Sequence, residues 1–223
     1  MLMQSVIQAR SVSRDIPPLC SRTPARSIES MGFSVSYGPN AEIYGDQEQA
    51  KYLYKVVRGT VRTSKILEDG RRQIAAFYVP GDLFGLESRD HRTLSAEAVG
   101  QCKLLLIQRS TLVALAERDS KVARELWTLT AAELQRAQEH SLLLTKSALT
   151  RVAGFLVEMA ERFASEDEVE LPMGRQDIAD YLALTVETVS RSLTQLEDIA
   201  AIQITSRRGI AFRNHSALVQ FGA

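Results

Sequence analysis

Apolar and polar positions change period twice along the chain. Residues 1–30 show no period, are rich in Ser, Arg and Pro, and predict a flexible arm. From about 31 to 110 the period is two. Tyr52–Arg58 and Thr60–Thr63 flank Gly59, and Ile74–Val79 follows the turn signal Glu68-Asp69-Gly70. Asp-Gly is a strong hairpin dipeptide and predicts a type I′ turn. Pro80-Gly81-Asp82 turns the chain again, and Leu104–Ile107 reads as a short strand that is apolar throughout. Short strands at this spacing predict a β-roll, or jelly roll.

At Ser110 the period becomes helical, and no proline occurs until Pro172. Residues 111–146 read as a helical connector built on one long helix over 119–145. That helix carries two apolar stripes, one through Val122, Leu126, Leu129 and Leu143, the other through Trp127, Leu134, Ala137 and Leu144. One stripe fits the roll and the other a second copy of the chain. Val122, Leu126, Leu129 and Leu143 are the candidate dimer contacts, although periodicity does not decide which stripe faces outward. Residues 147–163 predict another amphipathic helix, and the acidic run 166–170 a solvated linker or edge hairpin.

Residues 173–198, MGRQDIADYLALTVETVSRSLTQLED, carry the chemistry. They predict a helix from Arg175 to Leu182 that buries Ile178, Ala179 and Leu182, then a tight turn, then a second helix capped by Thr185. Val186, Val189, Leu193 and Leu196 form the apolar stripe of that second helix; Glu187, Ser190, Arg191 and Thr194 share its other side. An ordinary helical hairpin would show the same stripe. The residue types on the polar side tip the reading: Arg can fork onto guanine, Glu can accept from cytosine, and Ser can serve several bases. Two short helices with these residues at the entering end predict a helix-turn-helix. Ile202–Thr205 and Ile210–Phe212 alternate around Ser206-Arg207-Arg208-Gly209, a β-hairpin wing with two arginines at its tip. Residues 147–223 therefore read as a winged helix-turn-helix, and the chain as an α+β protein.

Charge qualifies this picture. Lysine and arginine balance aspartate and glutamate at 27 each, and residues 171–223 hold five Arg against five acidic residues. Attraction to phosphate must then come from placement rather than net charge. Arg175, Arg207, Arg208 and Arg213 are candidates, with Thr185 and Thr188 beside them at the helix start. Two cysteines, Cys20 and Cys102, make no disulfide framework and fit a reducing cytoplasm. Three scattered histidines give no metal-ligand spacing. Apolar runs are too short for a membrane span, no apolar secretory core opens the chain, and no catalytic motif appears.

Thr185–Arg191, T-V-E-T-V-S-R, resembles the Fnr/FixK branch of the Crp/Fnr transcription regulators, and the resemblance runs from about residue 38 onward. It implies a cyclic-nucleotide-binding-like roll, a dimerising helix and a DNA-reading C-terminus. It also implies a homodimer that binds a palindrome near TTGAT-N4-ATCAA and recruits RNA polymerase, mainly as an activator. Genes of low-oxygen respiration, nitrogen fixation or denitrification would be the targets. Glu187, Ser190 and Arg191 match the branch's base-reading positions, and Val186 stands where a small apolar residue touches a thymine methyl. Ala183 replaces a glycine frequent in the turn. Pro80–Gly85 resembles the start of a phosphate-binding cassette, but Leu86 stands where nucleotide binders have glutamate, and the segment to Arg92 is short. Cyclic nucleotide is not expected there, although Arg92 could hold a phosphate. Two cysteines are too few for an iron–sulfur cluster. The resemblance is thus to the FixK type, which acts without a bound cofactor. The alternative is a sensor gated by a cyclic nucleotide or haem in the roll.

Overall fold

The computed structural model describes residues 31–165, 167–214, 218 and 221. The expected arm over 1–30, with Cys20, lies outside the described residues. Among the described residues, eight strands form the N-terminal part: β1 (Phe33–Tyr37), β2 (Glu42–Tyr44), β3 (Tyr52–Arg58), β4 (Val61–Ile66), β5 (Arg72–Tyr78), β6 (Leu83–Phe84), β7 (Ser95–Ala98) and β8 (Cys102–Gln108). They make two antiparallel sheets, ordered β1-β8-β3-β6 and β2-β7-β4-β5. The hairpin between β4 and β5 is where the dipeptide predicts it, but its turn differs. Gly70 alone takes positive φ, at +82°, closing a three-residue loop across which Leu67 N–H donates to Arg71 O at 2.8 Å. A type I′ turn would need positive φ at Asp69 as well.

The helices follow: α1 (Arg109–Arg118), α2 (Ser120–Leu143), α3 (Ala148–Phe163), α4 (Arg175–Leu182) and α5 (Val186–Asp198). Asp119 breaks α1 from α2 in an extended conformation and caps α2, accepting from Lys121 N–H at 2.8 Å. Strand β9 (Glu168–Glu170) joins β10 (Ile202–Ile204) and β11 (Gly209–Phe212) in a sheet ordered β10-β11-β9. The acidic run is therefore an edge strand rather than a linker, because Val169 is buried in the core and draws its neighbours into pairing; Glu166 lies outside the described residues.

The apolar strand β8 explains where α2 goes. Leu104 and Leu106 point into the roll, whereas Leu105 and Ile107 pack on its outside with Leu53, Leu83 and Leu112. A strand apolar on both faces must be covered on both. The cover is Val122, only 1% exposed, with Leu126 and Leu129 beside it. Leu143 packs instead against the C-terminal core. This corrects the expected dimer contacts: all four residues face the chain's own interior. The other side of α2 stays open, with Trp127 75%, Leu134 59% and Leu142 65% exposed. Ala123, Trp127, Thr130, Leu134 and Ala137 repeat on that face at alternating steps of four and three.

Roll and C-terminal helices share one core, in which Ile74 and Phe77 of β5 meet Phe155, Met159, Ile178 and Tyr181. Charges seal the joint. Asp177, 8% exposed in the first turn of α4, accepts from Arg62 Nη1 at 3.0 and 3.2 Å and from Arg72 Nη2 at 2.5 Å. Arg72 Nε also donates to Asp180 at 2.8 Å, and Arg62 Nε to Glu97 at 2.9 Å. The His140 ring of α2 stacks on Tyr181, with centroids 4.0 Å apart.

Asp177→Ala takes the shared acceptor from two inward guanidiniums, leaving Arg62 on Glu97 and Arg72 on Asp180, and is expected to cost about 1–3 kcal/mol in denaturant melts. Burial brings the His140 pKa down to about 4. Below its ordinary value of about 6.5 the unfolded chain takes a proton that the folded chain refuses. The stability from this site is complete above that pH and is lost as pH falls through about 4. His140→Phe, which keeps the stack, is expected to flatten the acid limb of a pH–stability curve.

Candidate nucleic-acid interface

The α4–turn–α5 unit is built as its pattern predicts. Helix α4 buries Ile178, Ala179, Tyr181 and Leu182. It ends on Ala183 in the left-handed region (φ +51°), where Leu184 N–H donates back to Ala179 O at 2.9 Å. The alanine thus adopts the conformation for which glycine is the usual residue. Ala164 (φ +49°) and Ala200 (φ +56°), which the pattern does not flag, end α3 and α5 in the same way. Thr185 caps α5, accepting from Thr188 N–H at 3.2 Å, and the two hydroxyls lie 3.0 Å apart.

Val189, Leu193 and Leu196 of α5 point inward, as does Ser192, which the pattern does not mark. Glu187, Arg191 and Thr194 are exposed, and Ser190 and Val186 half-buried. Val186 also packs against the C-terminal core, so only part of its side chain is open. Glu187 sits in the first turn, where its own backbone N–H and the Thr185 hydroxyl hold its carboxyl below the usual range. It is therefore ionised at neutral pH and can only accept hydrogen bonds. Arg175 reaches over from α4, and its Nη1 donates to Ser190 Oγ at 3.1 Å.

The wing turn is braced by Ser206 Oγ, which accepts from Arg208 N–H at 3.2 Å and Gly209 N–H at 2.7 Å. Arg207 and Arg208 are exposed there and line one small cleft with Arg175, Leu193 and Ile204. Three of the four candidate phosphate arginines are thus brought together beside the exposed face of α5. The fourth, Arg213, turns to its own sheet, where its Nε donates to Gln203 Oε1 at 3.0 Å.

The roll's candidate ligand residue is differently placed. Arg92 is buried, and its Nη1 donates to Glu87 at 2.6 Å and to Gly85 O at 3.2 Å. Cys102 is a buried thiol whose pKa burial pushes up to about 11. No group of three or more His, Cys, Asp or Glu suited to a metal occurs among the described residues, nor does any helix long and apolar enough to cross a membrane. Arg62, Arg72, Asp177 and Asp180, which set the head on the roll, carry no sequence signal, because the pairs they form are 105 to 115 residues apart.

A roll, a long helix with an open apolar face and a winged helix-turn-helix are the parts of a DNA-binding transcription regulator. Residues 34–119 match the cyclic nucleotide-binding domain, and residues 150–221 the Crp-like helix-turn-helix domain. The nitrogen fixation regulation protein FixK of Azorhizobium caulinodans is 47% identical over 216 residues, covering 94% of this chain and 86% of that one. FixK of Rhizobium meliloti is 39% identical, over 82% and 84% of the two chains. The structure of FixK2 from Bradyrhizobium japonicum superposes with a TM-score of 0.82 at 48% identity, covering 86% of this chain and 98% of that one. The chain belongs to the FixK type of the Crp/Fnr family of transcription regulators, which are not enzymes.

Ala183→Gly relieves a left-handed alanine worth about 1–2 kcal/mol. Glycine's looser unfolded state returns roughly 0.4–1 kcal/mol of that gain. Thermal melts should show a net stabilisation of about 0.5–1 kcal/mol with DNA affinity unchanged.

Proposed function

We propose that this regulator reads a TTGAT-N4-ATCAA-like palindrome as a homodimer, mainly as an activator and without a bound effector. The observation that carries the reading is the placement of Glu187, Ser190 and Arg191 on the open side of α5, with Arg175, Arg207 and Arg208 gathered beside it. Arg191 forks onto a guanine, and the ionised Glu187 accepts from a cytosine amino group. Ser190, oriented by Arg175, reads a neighbouring base, and the open part of Val186 meets a thymine methyl. Arg175, Arg207, Arg208 and the Thr185 and Thr188 hydroxyls at the helix start hold phosphates.

A palindrome asks for two copies, and the open seam of α2 through Trp127 and Leu134 is the surface proposed for pairing. The exposed hairpin over 65–72, with Ile66 and Leu67 open to solvent beside its tip, is the proposed RNA polymerase contact by family resemblance. Effector independence is supported by the roll's interior, where Arg92 is already engaged by the chain itself. The relatives' role in nitrogen fixation suggests target genes of that kind, or of low-oxygen respiration and denitrification.

Arg191→Ala is expected to lose about 1–3 kcal/mol of affinity and to relax preference at one base pair per half-site. Titration against sites carrying single-base substitutions checks this. Arg208→Ala should weaken every sequence alike and reduce the salt slope by about 1. Trp127→Glu with Leu134→Glu should sediment as a monomer and bind the palindrome roughly 100-fold more weakly. A double variant that stays dimeric rejects the seam.

A further inference from the structure

The interior of the roll holds a cation that the reading surface does not use. Arg92 is 1% exposed, and its Nη2 donates to the Tyr52 carbonyl while Nη1 serves Glu87 and Gly85. Its Cζ lies 4.2 Å from the Tyr44 ring centroid and 5.5 Å from that of Tyr54. Position 85 must be glycine for this approach: φ is +82°, and a Cβ there would come within 2.8 Å of Nη1. A charge so deep is tolerated only when paired. The two carbonyls supply dipoles, and Glu87 supplies the negative charge, at 2.6 Å. An arginine fork accepts carboxylate and phosphate with the same geometry.

The pair stands at one end of a packed series that reaches the DNA-binding head. Tyr54 stacks on Phe84 at 5.0 Å, and Phe84 on Tyr78 at 4.9 Å. The Tyr78 hydroxyl donates to Glu133 of α2 at 2.8 Å. Arg136 joins Glu133 to Asp82, and Asp82 also holds Arg162 of α3.

We propose that Glu87 is a built-in anionic ligand. Its carboxylate occupies, on Arg92, the place a small anion would otherwise fill, and so keeps the roll packed against α2 in the state that binds DNA. The proposal rests on the effector-independent reading above. Vacating the carboxylate should expose a site for inorganic phosphate and make the chain depend on it.

The test compares the full chain with Glu87→Ala and Glu87→Gln, by thermal melting and by titration of the palindrome. Both are done in chloride and in inorganic phosphate at equal ionic strength. Both variants should melt several degrees lower and bind DNA roughly tenfold more weakly in chloride. Phosphate should restore melting and affinity in Glu87→Ala and leave the wild type unmoved. Variants that match the wild type, or a loss in Glu87→Ala that phosphate does not restore, overturn the proposal alone. Should Glu87→Ala not fold, the near-isosteric Glu87→Gln decides: weakened DNA binding supports the proposal, and unchanged binding overturns it. A wild-type chain whose DNA affinity rises with added cyclic AMP overturns the effector-independent reading, and the proposal with it.

Discussion

Asp177 lies between Arg62 and Arg72, and the orientation of the whole DNA-binding head depends on that contact. Taking a carboxylate and two guanidiniums out of water is costly, and the cost is offset only when every partner is in place. Such a cluster adds little as glue but discriminates sharply between arrangements, because a displaced head would leave several charges without partners. Asp177 sits in the first turn of α4, two residues after Arg175, so the orientation set there passes through the Ala183 turn to α5. The Gln73 side chain adds a neutral tie, donating to Tyr181 O at 3.2 Å.

A second constraint comes from β8. Its outer face is as apolar as its inner one, so a helix must lie on it, and α2 provides the cover with Val122, Leu126 and Leu129. Spending that stripe on the roll leaves the opposite one in solvent, with Trp127 and Leu134 prominent on it. The same helix receives the Tyr78 hydroxyl from inside the roll and lays His140 on Tyr181 of the head. One element therefore touches the interior of the roll and the DNA-binding head while keeping an apolar stripe in solvent.

Much of the DNA-binding head was legible in the chain. The limits of α4, the Thr185 cap, the inward stripe of α5 and the wing all follow from interactions a few residues apart, and local pattern records those well. The turn strain at Ala183 was legible for the same reason. The β4–β5 hairpin was legible as a hairpin but not in its turn type, because Asp-Gly serves both a type I′ turn and a longer loop with glycine in the left-handed position. The two stripes of α2 were visible, yet which of them faces inward depends on the apolar surface β8 presents, and helical periodicity holds no record of that.

Local chemistry in the sequence thus determined the elements, the exposed polar face of α5 and the arginines around it, because hydrogen-bond caps and helical spacing act over a few residues. Tertiary structure alone decided three matters: that Asp177 would meet Arg62, that Glu87 would sit on a buried Arg92, and that Val122 would face the roll. Each is a choice among partners equally suitable by residue type. Such choices are settled by which charges and apolar surfaces folding removes from water together, and that depends on how the strands and helices pack in space.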